Sequence, residues 1–231
     1  MVGNILSKVP STNVITTKDY RLQVTGYRKF FMILKFFTFF LLLSLPVLIA
    51  NEEKIPILLV ESSFLHASLQ QKIVGAERTV IVPAWLLKKS NGEEIVTLLE
   101  PEYQTLSEKK MGHFVEQARA NLSSELTNLS PKFLRDEHGV IQVAMLESPQ
   151  PVTASTILAP DFAAHFTTIF GPDLLIAIPS SNRVYIFSKL LPPMNSIAPK
   201  IRDDYKLSLT PISTEFFELS QGQLRAIGSF D

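Results

Sequence analysis

The 231-residue chain has no cysteine. That absence excludes a disulfide framework, a thiolate metal site, a cysteine nucleophile and a lipid-bearing cysteine behind a leader, although it does not identify a compartment. Catalytic signatures are missing as well. Without a Gly-x-Ser-x-Gly elbow, a serine hydrolase of the common α/β type has no visible nucleophile. The four histidines, His66, His113, His138 and His165, show neither i, i+4 pairing nor His-Glu-x-x-His spacing, so no two of them are directed onto one metal. They read as three surface side chains and one partly buried, His165. No internal repeat or low-complexity linker interrupts the chain, and no cofactor, catalytic residue or metal ligand is assigned.

Net charge is also absent: 22 Lys and Arg balance 22 Asp and Glu. The zero conceals a split, because residues 1–35 hold six bases and one acid, which leaves residues 51–231 at −5. A mildly acidic domain argues against general nucleic-acid binding and against adhesion to an anionic membrane.

What is present first is an apolar block, Phe36 to Ala50, broken only by Thr38 and Ser44. As a helix it spans roughly 22 Å, short of the about 30 Å of a bilayer core. Reaching back to Phe30 supplies the length but buries Lys35. Pro46 breaks a spanning helix, and Ala50 precedes the charged run Asn51-Glu52-Glu53-Lys54. Residues 32–50 therefore read as a signal peptide cleaved after Ala50, with an uncleaved membrane anchor over residues 30–50 as the alternative and Leu48 as its argument. Residues 1–31 carry five bases against Asp19 without apolar periodicity. They read as a basic, unstructured tail or as an extension upstream of a true start at Met32, where "MILK" is a conventional n-region. The expected location is periplasmic or secreted, or membrane-anchored if the segment stays.

Residues 51–231 suffice for one domain with a real core. Ile57–Glu61 reads as a strand, followed by a helix capped at Ser62 or Ser63 and closed at Gly75. Ser90-Asn91-Gly92 joins two β-rich runs as a hairpin. The strongest helix runs from Leu106 to Leu129, with Met111, Val115, Ala118, Leu122, Leu126 and Leu129 as one buried stripe and Thr105 with Glu108 as a capping box. Lys109, His113, Glu116, Gln117, Ser124 and Asn128 make its solvated face. A strand over Val140–Leu146 and a helical stretch carrying Phe162, Phe166, Ile169 and Phe170 follow, with Pro160 predicting a kink or a new start.

Leu174–Ser188 carries apolar residues in both parities, which predicts a central hairpin covered on both faces. A helix around Ile197–Tyr205 and a hairpin turning near Gln221-Gly222 close the chain. The order mixes hairpins with single crossovers and gives an α+β domain, its mostly antiparallel or mixed sheet packed by helices.

Four short segments resemble the YtpQ-like family, a group of bacterial proteins carrying a domain of unknown function. They centre on Ala118, Asn121 and Leu122; on Ala154, Ser155 and Leu158; on Pro179, Asn182 and Arg183; and on Pro211, Ile212 and Ser213. The resemblance covers about the last half of the chain and implies a fold and a bacterial source, without an activity or site residues. The turn "PSSNR" is longer than the family's compact turn, and the relatives are expected to lack a signal segment.

Among single motifs, Ser107 to Lys110 matches the Ser-x-x-Lys of penicillin-recognising enzymes, but no Lys-Thr-Gly accompanies it and Ser107 falls where helix caps are common. The adjacent acids Glu52-Glu53, Glu93-Glu94 and Asp203-Asp204 read as solvated charge. Phe216-Phe217 reads as core or as a contact surface. Asn182 and Arg183 are the candidate interaction residues, because a cation at the lip of an apolar hairpin suits an anionic ligand or a partner carboxylate. The competing reading is a turn asparagine at positive φ beside an arginine satisfied locally. The expected function is an exported interaction module with a protein partner. An exported hydrolase whose site is assembled from separate elements is the alternative, and a large pocket with two or more convergent titratable groups would favour it.

Overall fold

Strand formation begins at Glu53, where a run with apolar residues in both parities, Ile57 to Val60, is buried on both faces and pairs along one edge with Thr79–Lys88. The computed structural model describes residues 52–63, 69–99, 107–190, 192 and 194–230. The apolar segment 32–50 and the tail before it lie outside these residues. Among the described residues, no helix is long and apolar enough to cross a membrane.

The fold is α+β with two antiparallel sheets. In the four-stranded sheet, β1 (Glu53–Ser62) and the long β3 (Thr79–Lys88) pair over their whole lengths. The other edge of β3 is shared by β2 (Gln71–Lys72) near its start and β4 (Glu94–Leu98) near its end. The six-stranded sheet has the order β10-β9-β7-β8-β6-β5. Its strands are β5 (Lys132–Arg135), β6 (Ile141–Glu147), β7 (Leu174–Ser180), β8 (Arg183–Ser188), β9 (Glu215–Ser220) and β10 (Gln223–Ser229). The helices are α1 (Glu108–Thr127), α2 (Phe162–Phe170) and α3 (Met194–Leu207), with a 3₁₀ turn at Ala154–Leu158.

Hairpin β7–β8 occupies the middle of the larger sheet, as its double-parity pattern predicts. Ile176 and Ile186 are fully buried on one face with Leu174, Val184 and Phe217, under α1, α2 and the 3₁₀ turn. Ala177, Tyr185 and Phe187 are buried on the other, under Ile197 and Ile201 of α3. Phe216 and Phe217 are therefore core residues on opposite faces.

The expected helix from Ser62 to Gly75 does not form over its described part: Gln71–Lys72 pairs with β3 and Val74 bridges to Arg225. Apolar Ile73 fits either period, and the vacant edge of β3 decides. The Leu106–Leu129 stripe is real but shifted, since Phe114 is buried with Ala118, Leu122 and Leu126, while Met111, Val115 and Leu129 are only partly covered. Thr105 lies outside the described residues, and the N-cap is Ser107, without a side-chain cap bond. Pro160 separates the 3₁₀ turn from a new helix, α2, whose Ile169 points out at 39% exposure. The short strand β5 has no counterpart in the sequence reading. Its pattern is too brief and too exposed to register.

Candidate functional site

Arg183 opens β8 and stands opposite Glu147, the last residue of β6. Both project onto the face covered by α3, which supplies Asp204. The Arg183 guanidinium bonds to Glu147 Oε1 through Nη2 and to Asp204 Oδ1 through Nη1 at 2.5 Å. Glu147 Oε2 takes Lys132 Nζ at 2.7 Å, Lys200 Nζ lies 3.9 Å from Asp204, and the Tyr185 hydroxyl donates to Asp204 Oδ2. Four elements, β5, β6, β8 and α3, thus share one ion-pair chain: Lys132, Glu147, Arg183, Asp204 and Lys200, with Tyr185 beneath it.

The bond from Lys132, then that from Arg183, holds the Glu147 carboxyl below the usual carboxylate range. Burial pulls the Arg183 guanidinium down, but its two carboxylate partners together outweigh burial and raise it. The Tyr185 phenol is pushed up by burial and by its bond to Asp204. Each shift moves a proton affinity away from neutrality, the opposite of what a general acid or base needs. Arg183 Nε is buried with no partner among the described residues.

Asn182 lies in the two-residue turn between Ser180 and Arg183. It is not at positive φ; among the described residues Gln221 is the non-glycine position with that conformation. Its side chain holds the turn instead, with Asn182 Oδ1 accepting from Ser180 Oγ at 2.7 Å and its carbonyl accepting from Ser148 N at 3.2 Å. Next to this turn is a groove of about 450 Å³, bounded by Pro149 and Pro151, the Ser181-Asn182 turn and residues 207–210. Leu207 and Leu209 stand beside it 82% and 99% exposed. Arg183 and Asp204 both line the groove, so two titratable groups do converge there, but on each other.

The remaining sequence candidates do not gather. Ser107 and Lys110 are exposed, and no bond joins them among the described residues. His113 and His138 are exposed, His66 lies outside the described residues, and His165, expected to be partly buried, is 42% exposed beside Asp161 at 3.4 Å. No group of three His, Asp or Glu suited to a metal exists among the described residues.

The reading of Asp203-Asp204 as solvated charge fails for Asp204, whose side chain is 15% exposed. A signal for it was present: Asp204 follows Ile197 and Ile201 at steps of four and three, on the buried face of α3. Glu94 is likewise half of a pair, 3.3 Å from Lys88. Glu147 carried no such signal, because only strand register places it opposite Arg183.

Comparison of the chain with protein-family models, with curated proteins and with solved structures returns no match.

Proposed function

We propose that residues 51–231 form a non-catalytic interaction module whose contact surface is the groove beside Arg183 and whose partner contributes an extended, uncharged, apolar segment. The observation that carries this is the pair Leu207 and Leu209, which stand exposed next to a groove whose Arg183 and Asp204 are already neutralised by one another. The hydroxyls of Ser181 and Thr210, bonded to one another at 2.6 Å, and of Ser208, which accepts from Thr210 N at 3.0 Å, line the same groove and retain acceptor capacity for main-chain N–H groups of an extended peptide. A partner segment that covered the two leucines would remove apolar surface from water without having to break an ion pair.

The test is a library of uncharged decapeptides screened by amide shifts of the labelled protein. Binders are expected to shift Ser181, Asn182 and Thr210, and Leu209→Glu is expected to abolish binding with melting unchanged. A library without any binder at these amides would sink the reading. The hydrolase reading keeps one observation, the two titratable groups in one groove. Turnover of an ester or peptide panel that disappears in Asp204→Asn, in protein that still melts cooperatively, would establish it instead.

The same proposal includes export by the apolar segment 32–50, which supplies a lysine-led h-region and a small residue before a charged run. N-terminal sequencing of the envelope product is expected to begin at Asn51. A membrane-bound product that retains the basic residues before Met32 would establish an anchor.

A further inference from the structure

A second crevice lies where the two sheets meet, far in sequence from Arg183. It holds about 190 Å³ between β2, the 3₁₀ turn, the start of α2 and the β9–β10 turn. Ile73, Ile157, Leu158, Ala159 and Leu219 form a floor of buried aliphatic residues, and Val74 stands at the lip 72% exposed. Two cations, Lys72 and Arg119, line the same opening. Neither has a carboxylate partner among the described residues, and no acid among them lines the crevice. Other cations of this fold do have carboxylate partners: Arg183 has Glu147 and Asp204, Lys88 has Glu94 and Glu125, and the exposed Lys189 and Arg225 share Glu218. An apolar slot with two unmatched cations at its mouth is complementary to an apolar tail ending in an anion.

We infer that this crevice binds a small carboxylic acid with a short aliphatic chain, its tail on Ile73, Ile157 and Leu219 and its carboxylate between Arg119 and Lys72. A guanidinium is the side chain best shaped to take a carboxylate with two parallel bonds, and Arg119 reaches the mouth from the exposed face of α1. The tail gains by leaving water for surfaces that already exclude it.

The probe is octanoate, titrated into the isotope-labelled full chain. Saturable shifts are expected at the amides of Ile73, Ala159 and Leu219, with octanol binding about tenfold or more weakly, as loss of one charge-assisted contact implies. Arg119→Glu with Lys72→Glu, both at exposed positions, is expected to weaken octanoate by a similar factor at unchanged melting temperature. Ala163→Leu, which fills the crevice from α2, is expected to block it. The inference is overturned if octanoate does not saturate, if octanol binds equally well, or if charge reversal leaves binding unchanged. It is also overturned if a peptide ending in leucine, but not octanoate, shifts these amides, because the occupant is then a protein terminus.

Discussion

Two buried glutamates act in different ways. Glu215, 6% exposed, accepts the backbone N–H groups of Glu77 at 2.7 Å and Arg78 at 3.2 Å through one oxygen, and the hydroxyls of Thr79 at 2.6 Å and Ser213 at 3.1 Å through the other. Its carboxylate replaces water for four donors. Glu215→Ala leaves the Glu77 and Arg78 N–H groups without this acceptor, while the Thr79 hydroxyl keeps Ser213 Oγ at 2.7 Å, and is expected to cost about 3 kcal/mol in urea titration.

Glu218, 2% exposed, lies between Lys189 and Arg225, whose bonds, Lys189 foremost, hold its carboxyl below the usual range. A carboxyl with a folded-state pKa below its unfolded value adds stability that is fully present above the unfolded value. That stability is lost as pH falls through the folded one. Glu147 acts in the same direction. The urea midpoint is therefore expected to fall as pH drops below about 5, and Glu218→Gln, weaker at neutral pH, is expected to show a flatter acid limb. A parallel acid limb in the variant would remove Glu218 from the account.

At the scale of elements, turn chemistry decides the hairpins. Lys89 to Glu93 closes with Gly92 N on the Lys89 carbonyl, Lys89 N on the Glu93 carbonyl and Gly92 at φ +83, a three-residue loop with its glycine in the left-handed region. Asp136 to Val140 repeats it with Gly139, and Gln221-Gly222 makes a two-residue turn with both residues at positive φ. Gly75 is held more strictly, since its φ is +75 and an added Cβ would meet the Ala226 carbonyl oxygen at 2.7 Å. Gly92 has open space around it. Gly75→Ala is thus expected to lower melting clearly more than Gly92→Ala, for which left-handed strain of about 1–2 kcal/mol is the whole cost.

What local chemistry specifies was legible in the sequence: the Asn91-Gly92 and Gln221-Gly222 turns, the two-sided β7–β8 pair and the α1 stripe. What depends on partners distant in sequence was not. Strand β2 exists because β3 has a free edge, and the Arg183 network exists because register sets Glu147 opposite and α3 brings Asp204 above. Asn121, Ser155 and Ser213 are joints of the same kind. Asn121 Nδ2 donates to the Pro56 carbonyl, Ser155 Oγ accepts from Val60 N, and Ser213 Oγ meets Glu215. Within the elements, Ile186→Asp places a charge in a fully buried site and is expected to prevent folding, whereas Lys109→Asp on the solvated face of α1 is expected to leave melting within about 0.5 kcal/mol.

For the molecule as a whole, the two sheets are joined by specific bonds as well as by a shared core. Ala226 N donates to the Val74 carbonyl at 2.8 Å, Arg78 Nη1 to Thr214 Oγ1 at 3.1 Å, and Glu215 binds the approach to β3 from the start of β9. Leu58 and Val60 of the smaller sheet lie in the same buried cluster as Ile176, Ile186 and Phe217 of the larger. Neither sheet can leave without exposing the other's apolar face, so unfolding is expected to be one transition. The chain offers its own probes. Its single tryptophan, Trp85, is in β3 of the four-stranded sheet, edge-on to Phe114 at 5.2 Å, while Tyr185 is buried in the six-stranded sheet. Urea curves from Trp85 fluorescence and from far-ultraviolet circular dichroism should coincide. In Glu215→Ala both should move to lower urea together, because the lost clamp belongs to both sheets. A tryptophan transition that runs ahead of the dichroism would mean that the four-stranded sheet detaches first, and the seam would then be a hinge rather than a weld.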